Sequence, residues 1–142
     1  MIAYLETSAI MALLLRVRAG HETAESVWLD ADEVATVHLA PVEVRAALTS
    51  EWAGGRLRPS RFEVAKARWA EAWREMTVIT ADGGLVTAAS QAAERHRLRG
   101  YDAIHLVAAA QSGCDIFVCS DVKLLHAARH SHLATIDLKE VP

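Results

Sequence analysis

Five short apolar runs recur along the chain with long helical stretches between them: IAYL at 2–5, EVATVHL at 33–39, MTVIT at 76–80, DIFVC at 115–119 and LATI at 133–136. Runs so short and so continuously apolar do not alternate as a half-wetted strand must. They read instead as strands covered on both faces, the pattern of a parallel sheet whose crossovers are helices. The expected fold is therefore α/β, a three-layer α/β/α sandwich around a central, mostly parallel sheet. The 142 residues, 52% hydrophobic and 23% charged, suit a globular chain with a real core. With no internal repeat, linker or low-complexity segment in view, residues 1–142 read as a single domain.

The intervening segments carry helix punctuation. AIMALLLRV follows Glu6, Thr7 and Ser8, with Thr7 or Ser8 as the natural N-cap. Gly20 opens HETAESVWLDA. Pro41 sits in the first turn of VEVRAALTSEW, which stops at Gly54-Gly55. Pro59 starts a long amphipathic helix whose Phe62, Ala65, Trp69, Ala72, Trp73 and Met76 share a face. A helix is expected after the Gly83-Gly84 turn, another after Gly100, and a last one capped by Ser120 or Asp121.

Several function classes fall away. No apolar stretch approaches the roughly 20 residues of a membrane span, and no signal-peptide pattern opens the chain. A cytoplasmic protein is expected. Cys114 and Cys119 form neither a disulfide framework nor a paired zinc motif, and read as free thiols. The net charge of −3 argues mildly against a dedicated nucleic-acid binder. Basic clusters at Arg56–Arg74 and at Arg95, Arg97 and Arg99 soften that objection, as phosphate contacts or as solvated helix faces.

Four acids stand apart: Glu6 in YLETSA, Glu43 in PVEVRAAL, Asp102 in GYDAIHL and Asp121 in VCSDVKLL. Each lies where an apolar segment meets a helix start or inner face. Buried carboxylates are costly without partners, and parallel sheets bind ligands beyond the carboxyl ends of their strands. Glu6 and Asp121 each follow a strand, and Glu43 and Asp102 each lie in a helix's first turn. All four are placed to reach one sheet edge, where a shared cation relieves their repulsion. Oxygen-only donors favour Mg²⁺ or Mn²⁺ over zinc. Singly, Asp102 and Asp121 read equally as helix caps and Glu43 as a surface acid; their conjunction is what points to a site.

The runs YLETSAIMALL, PVEVRAAL, LRGYDAIHLVAAA and FVCSDVKLLHAA, in that order, resemble PIN-domain proteins, specifically the VapC-like toxins of bacterial toxin–antitoxin pairs. The resemblance spans essentially the whole chain. It implies a Mg²⁺- or Mn²⁺-dependent endoribonuclease, with Glu6, Glu43, Asp102 and Asp121 at the acidic metal-site positions. Glu6, Asp102 and Asp121 are then metal ligands, and Glu43 a ligand or the base for the attacking water. Thr7, Ser8 and Ser120 become donors that orient carboxylates. The implied partners are an RNA substrate, a cognate antitoxin and a second copy of the chain, with Trp28 and Trp52 as candidate apolar surfaces. The chain departs from the family pattern twice. Glu6 stands where Asp is usual, moving the carboxylate by about 1.5 Å, and Cys119 where Thr or Ser is common.

Two other readings compete. One is a PIN-like module that binds RNA or a partner without catalysis, because Glu6 and Cys119 spoil the site. The other is a receiver-type phosphoacceptor, which expects paired acids near the first strand and a strand-end Lys. The chain offers only Glu6 there and places Lys123 in a helix. Outside the acids, HAARHSH reads as a basic helix end, and His105, on the face of Asp102, as a packed histidine bordering the site.

Overall fold

A computed structural model describes residues 1–140. Its elements are β1 Ile2–Leu5, α1 Thr7–Leu14, α2 His21–Asp30, β2 Glu33–Val37, α3 Ala40–Ala53, α4 Pro59–Glu75, β3 Thr77–Ile79, α5 Gly83–His96, α6 Gly100–Ser112, β4 Ile116–Cys119, α7 Val122–His130 and β5 Thr135–Asp137. The strands form one five-stranded sheet in the order β3-β2-β1-β4-β5. Every pairing is parallel, with Leu5 opposite Val118 and Cys119 opposite Asp137.

Alternation along the strands divides the core into two layers. Ala3, Leu5, Val34 and Val118 join α1, α2, α3 and α4 on one face. Tyr4, Ala35, Val37, Phe117 and Cys119 join α5, α6 and α7 on the other. This is the expected α/β/α sandwich. Tyr4 stacks on Phe117 at 5.6 Å between ring centroids. Burying side chains such as Leu5, Ile10, Leu48 and Phe117 contributes about 1.5–3 kcal/mol each. The amphipathic face of α4 packs as its spacing predicts: Ala65, Trp69, Ala72 and Met76 are buried, with Phe62 and Trp73 half-buried beside them.

Chain direction sets the site. The first two crossovers carry the chain from β1 out to β3; the next returns it past β1 to β4. The topological switch point therefore lies between the carboxyl ends of β1 and β4. Helix α6 leads into β4 and runs against the strands, so its N-terminus comes up at that same edge.

Two helix starts differ from expectation. The N-cap of α1 is Glu6, not Thr7 or Ser8; its carboxylate accepts from the Ser8 N–H at 2.9 Å. Gly83 and Gly84 form the first turn of α5 rather than a preceding turn, because Asp82 caps the helix through Leu85 N–H. Cys114 and Cys119 are free thiols. Among the described residues no helix is long and apolar enough to cross a membrane.

Candidate active site

Glu6 leaves β1 and turns directly into α1. Its backbone N–H continues the sheet by donating to Val118 O at 3.1 Å. The side chain is 6% exposed and takes both the N–H and the hydroxyl of Ser8 on one oxygen, Oε2. Ser8 Oγ in turn accepts from Ser120 N–H at 2.9 Å. One small side chain thus ties the end of β1 to the loop leaving β4. Ser120 takes part through its backbone.

Across that loop, Asp121 caps α7, with Oδ1 accepting from Leu124 N–H at 2.8 Å. Cys119, fully buried at the end of β4, donates its thiol to the Asp121 carbonyl at 3.7 Å. Burial pushes that thiol far above its ordinary range, and Glu6 and Asp121 push it further. It stays a protonated, neutral wall of the site.

Glu43 reaches in from the first turn of α3. Its Oε1 accepts from Thr7 Oγ1 at 3.0 Å and meets His105 Nε2 at 2.6 Å. His105, fully buried on α6, is held on its other side by Tyr4, whose hydroxyl lies 2.8 Å from Nδ1. Asp102, one turn before His105, pairs with the exposed Arg99 at 3.5 Å.

The acids divide into two interacting pairs. Burial raises the Glu6 carboxyl above its ordinary range; His105 and the Ser8 donors offset part of this, and Glu43 adds to it. Burial likewise raises Asp102, with Arg99 opposing and Asp121 reinforcing. Among the described residues the basic side chains that partner acids at this edge are Arg99, in an ion pair with Asp102, and His105, hydrogen-bonded to Glu43. Glu6 and Asp121 have none.

Residues 3–130 match the PIN-domain family model. The chain belongs to the PIN-domain family. It is 30% identical over 112 residues to "Ribonuclease VapC45" of Mycobacterium tuberculosis (strain CDC 1551 / Oshkosh), covering 79% of this chain and 77% of that relative. Two solved structures are similar in fold. One is Mycobacterium tuberculosis VapC20, a "Sarcin-Ricin loop cleaving toxin", at TM-score 0.70 and 21% identity, covering 88% of this chain and 94% of that one. The other is a toxin–antitoxin complex from Klebsiella pneumoniae, at TM-score 0.69 and 16% identity, covering 98% and 99%.

The donor chemistry at this PIN edge fits a hard divalent cation, being oxygen-only around an uncompensated buried carboxylate. The rotamers do not yet gather it. Among the described residues no group of three or more His, Cys, Asp or Glu side chains is arranged to hold a metal ion. The reason is local: Glu6 is folded onto Ser8, Asp121 onto Leu124 N–H, Glu43 onto Thr7 and His105, and Asp102 toward Arg99. Each of these contacts engages one carboxylate oxygen, and cation binding would require side-chain rotation that brings the free oxygens together.

Sequence reasoning passed over two residues at this site. Tyr4 opens the YLETSA run but reads there only as strand core. Asp137 ends β5 in register with Cys119, its Oδ1 accepting from Lys139 N–H at 2.9 Å. Only the strand order brings it to this edge.

Proposed function

We propose that this PIN-domain chain is a divalent-metal-dependent endoribonuclease that cleaves RNA phosphodiester bonds as the toxin of a toxin–antitoxin pair. The observation that carries the reading is Glu6: a buried carboxylate at the β1–β4 switch point, with no ionic partner among the described residues, beside three more acids. The likeness to a named ribonuclease over most of both chains supports it.

In this reading Glu6, Asp102 and Asp121 would hold Mg²⁺ or Mn²⁺. When bound, such an ion supplies Lewis acidity at the phosphate and a water activated near neutral pH. Glu43 contributes Oε2, the oxygen left free when Thr7 and His105 hold Oε1, to the ion or to the attacking water's proton. Ser8 keeps Glu6 and the β4–α7 loop in one unit. Arg99, exposed beside Asp102, is placed to meet an RNA phosphate.

The partners we propose are an RNA, a cognate antitoxin presenting a basic side chain to the acidic edge, and a second copy of the chain, in the cytoplasm. Trp52, 44% exposed and stacked on Phe62 at 5.1 Å, offers an apolar surface for such a contact. Trp28 is partly buried against the core and offers less. One observation favours a second reading, a PIN module that binds without cleaving: the four carboxylates are each committed to a local donor.

Cleavage of a mixed RNA pool by purified, antitoxin-free protein separates these readings. With Mg²⁺ or Mn²⁺, discrete products are expected, absent with chelator and absent from Asp102→Asn at unchanged thermal stability. Full activity in Asp102→Asn would sink the nuclease site as drawn. Folded wild-type protein that cleaves under neither metal would favour the binding-only reading.

A further inference from the structure

A buried chain of hydrogen bonds runs from the sheet into the acidic edge: Tyr4 OH to His105 Nδ1 at 2.8 Å, His105 Nε2 to Glu43 Oε1 at 2.6 Å, and Thr7 Oγ1 to the same oxygen at 3.0 Å. Tyr4 and His105 are both fully buried, and they lie 101 residues apart in sequence. We infer that Tyr4 and His105 are positioning residues: Tyr4, anchoring Nδ1 opposite Glu43, fixes the orientation of the His105 ring, and His105 with Thr7 then holds Glu43 so that only Oε2 is offered to the site.

The donor inventory dictates the direction of this chain. An ionised carboxylate only accepts, so the proton between His105 and Glu43 belongs to Nε2. The buried phenol must place its own proton on an acceptor, and Nδ1 is its hydrogen-bond partner. A ring that accepts at Nδ1 and donates at Nε2 is the Nε2–H tautomer. A phenylalanine at position 4 would preserve the stacking on Phe117 and the shape of the core, but leave Nδ1 without a donor. Glu43 would still hold the proton on Nε2, but the ring would be fixed at one end only and free to tilt, loosening its hold on Glu43 Oε1. Outer partners that orient a reacting group in this way are typically worth 10–100-fold in metal affinity or activity.

The role in cleavage rests on the proposed ribonuclease reading; the tautomer does not. The test uses long-range ¹H–¹⁵N spectra of ¹⁵N-histidine-labelled, metal-free protein, with the His105 signals assigned by their loss in His105→Gln. Wild type is expected to show an unprotonated Nδ1 and a protonated Nε2, and Tyr4→Phe the same tautomer with its Nδ1 signal moved to that of a nitrogen accepting no hydrogen bond. In RNA cleavage, Tyr4→Phe is expected to lower kcat by roughly tenfold with KM little changed. His105→Gln, which can still donate to Glu43, should retain more activity than His105→Leu. An Nδ1–H ring or a doubly protonated ring in wild type would overturn the inference. So would an Nδ1 signal unmoved by Tyr4→Phe, or a moved signal with kcat unchanged. If the wild-type protein cleaves no RNA, the proposed function fails, and the spectra still decide whether Tyr4 sets the ring.

Discussion

At the scale of single residues, Glu6 determines how the site responds to pH. Its carboxyl is raised above the ordinary value of 4.5, first by burial and then by Glu43, with His105 and Ser8 opposing. The folded state therefore holds a proton on Glu6 more tightly than the unfolded chain does. Between the ordinary value and the raised one the native state binds more protons, so stability falls as pH rises through that window. Above the raised value the loss is complete. Asp102, raised chiefly by burial, acts in the same direction. In chelator, the melting temperature of wild-type protein should thus decline from about pH 4.5 upward, and Glu6→Gln should decline less. Glutamine can still accept from Ser8, so the cap persists while the charge is gone. Added Mg²⁺ should raise the wild-type melting temperature and leave Glu6→Gln nearly unmoved. Identical pH profiles for the two proteins would show that Glu6 carries no uncompensated charge.

At the scale of elements, two of the acids also serve their own helices, and a test must separate the two roles. Asp121 caps α7 through Leu124 N–H. Asp82 caps α5 through Leu85 N–H in the same way but belongs to none of the acid pairs. Asp121→Ala should cost about 1 kcal/mol of stability as well as cleavage, whereas Asp121→Asn, a good cap, should lose cleavage alone. Asp82→Ala should cost a similar amount of stability and leave cleavage intact, read by urea unfolding and RNA digestion on the same preparations. Equal activity in Asp121→Asn and wild type would reduce Asp121 to a cap.

Helix boundaries also mark where sequence reasoning stops. A cap rule that ranks Ser and Thr ahead of Glu placed the start of α1 at Thr7 or Ser8. It cannot see that Ser8 is already engaged, donating to Glu6 and accepting from Ser120. A rule that treats paired glycines as a stop misplaced Gly83 and Gly84, because Asp82 requires a donor three residues on and they lie between.

At the scale of the whole molecule, the parallel sandwich was legible because doubly covered strands must be apolar throughout, and β1 and β4 are. The edge to which Glu6 and Asp121 belong followed from their positions just after those strands. Strand order was not legible. It alone decides that β4 lies beside β1, that Asp137 comes level with Cys119, and that Tyr4 meets a histidine 101 residues away. His105 read as a packed side chain, and it is one; its bond to Glu43 depends on α3 and α6 meeting at one edge, which no periodicity encodes.

The central claim is that Glu6, Asp102 and Asp121, contributed by three separate elements, share one divalent cation. Electron paramagnetic resonance titration of Mn²⁺ into metal-free protein addresses it without RNA or antitoxin. Saturable binding to wild type is predicted, weakened by more than about tenfold in each of Glu6→Gln, Asp102→Asn and Asp121→Asn, since losing even an outer partner of a metal ligand costs that much. Binding of equal affinity in all four proteins, or no binding to the folded wild type, would contradict it.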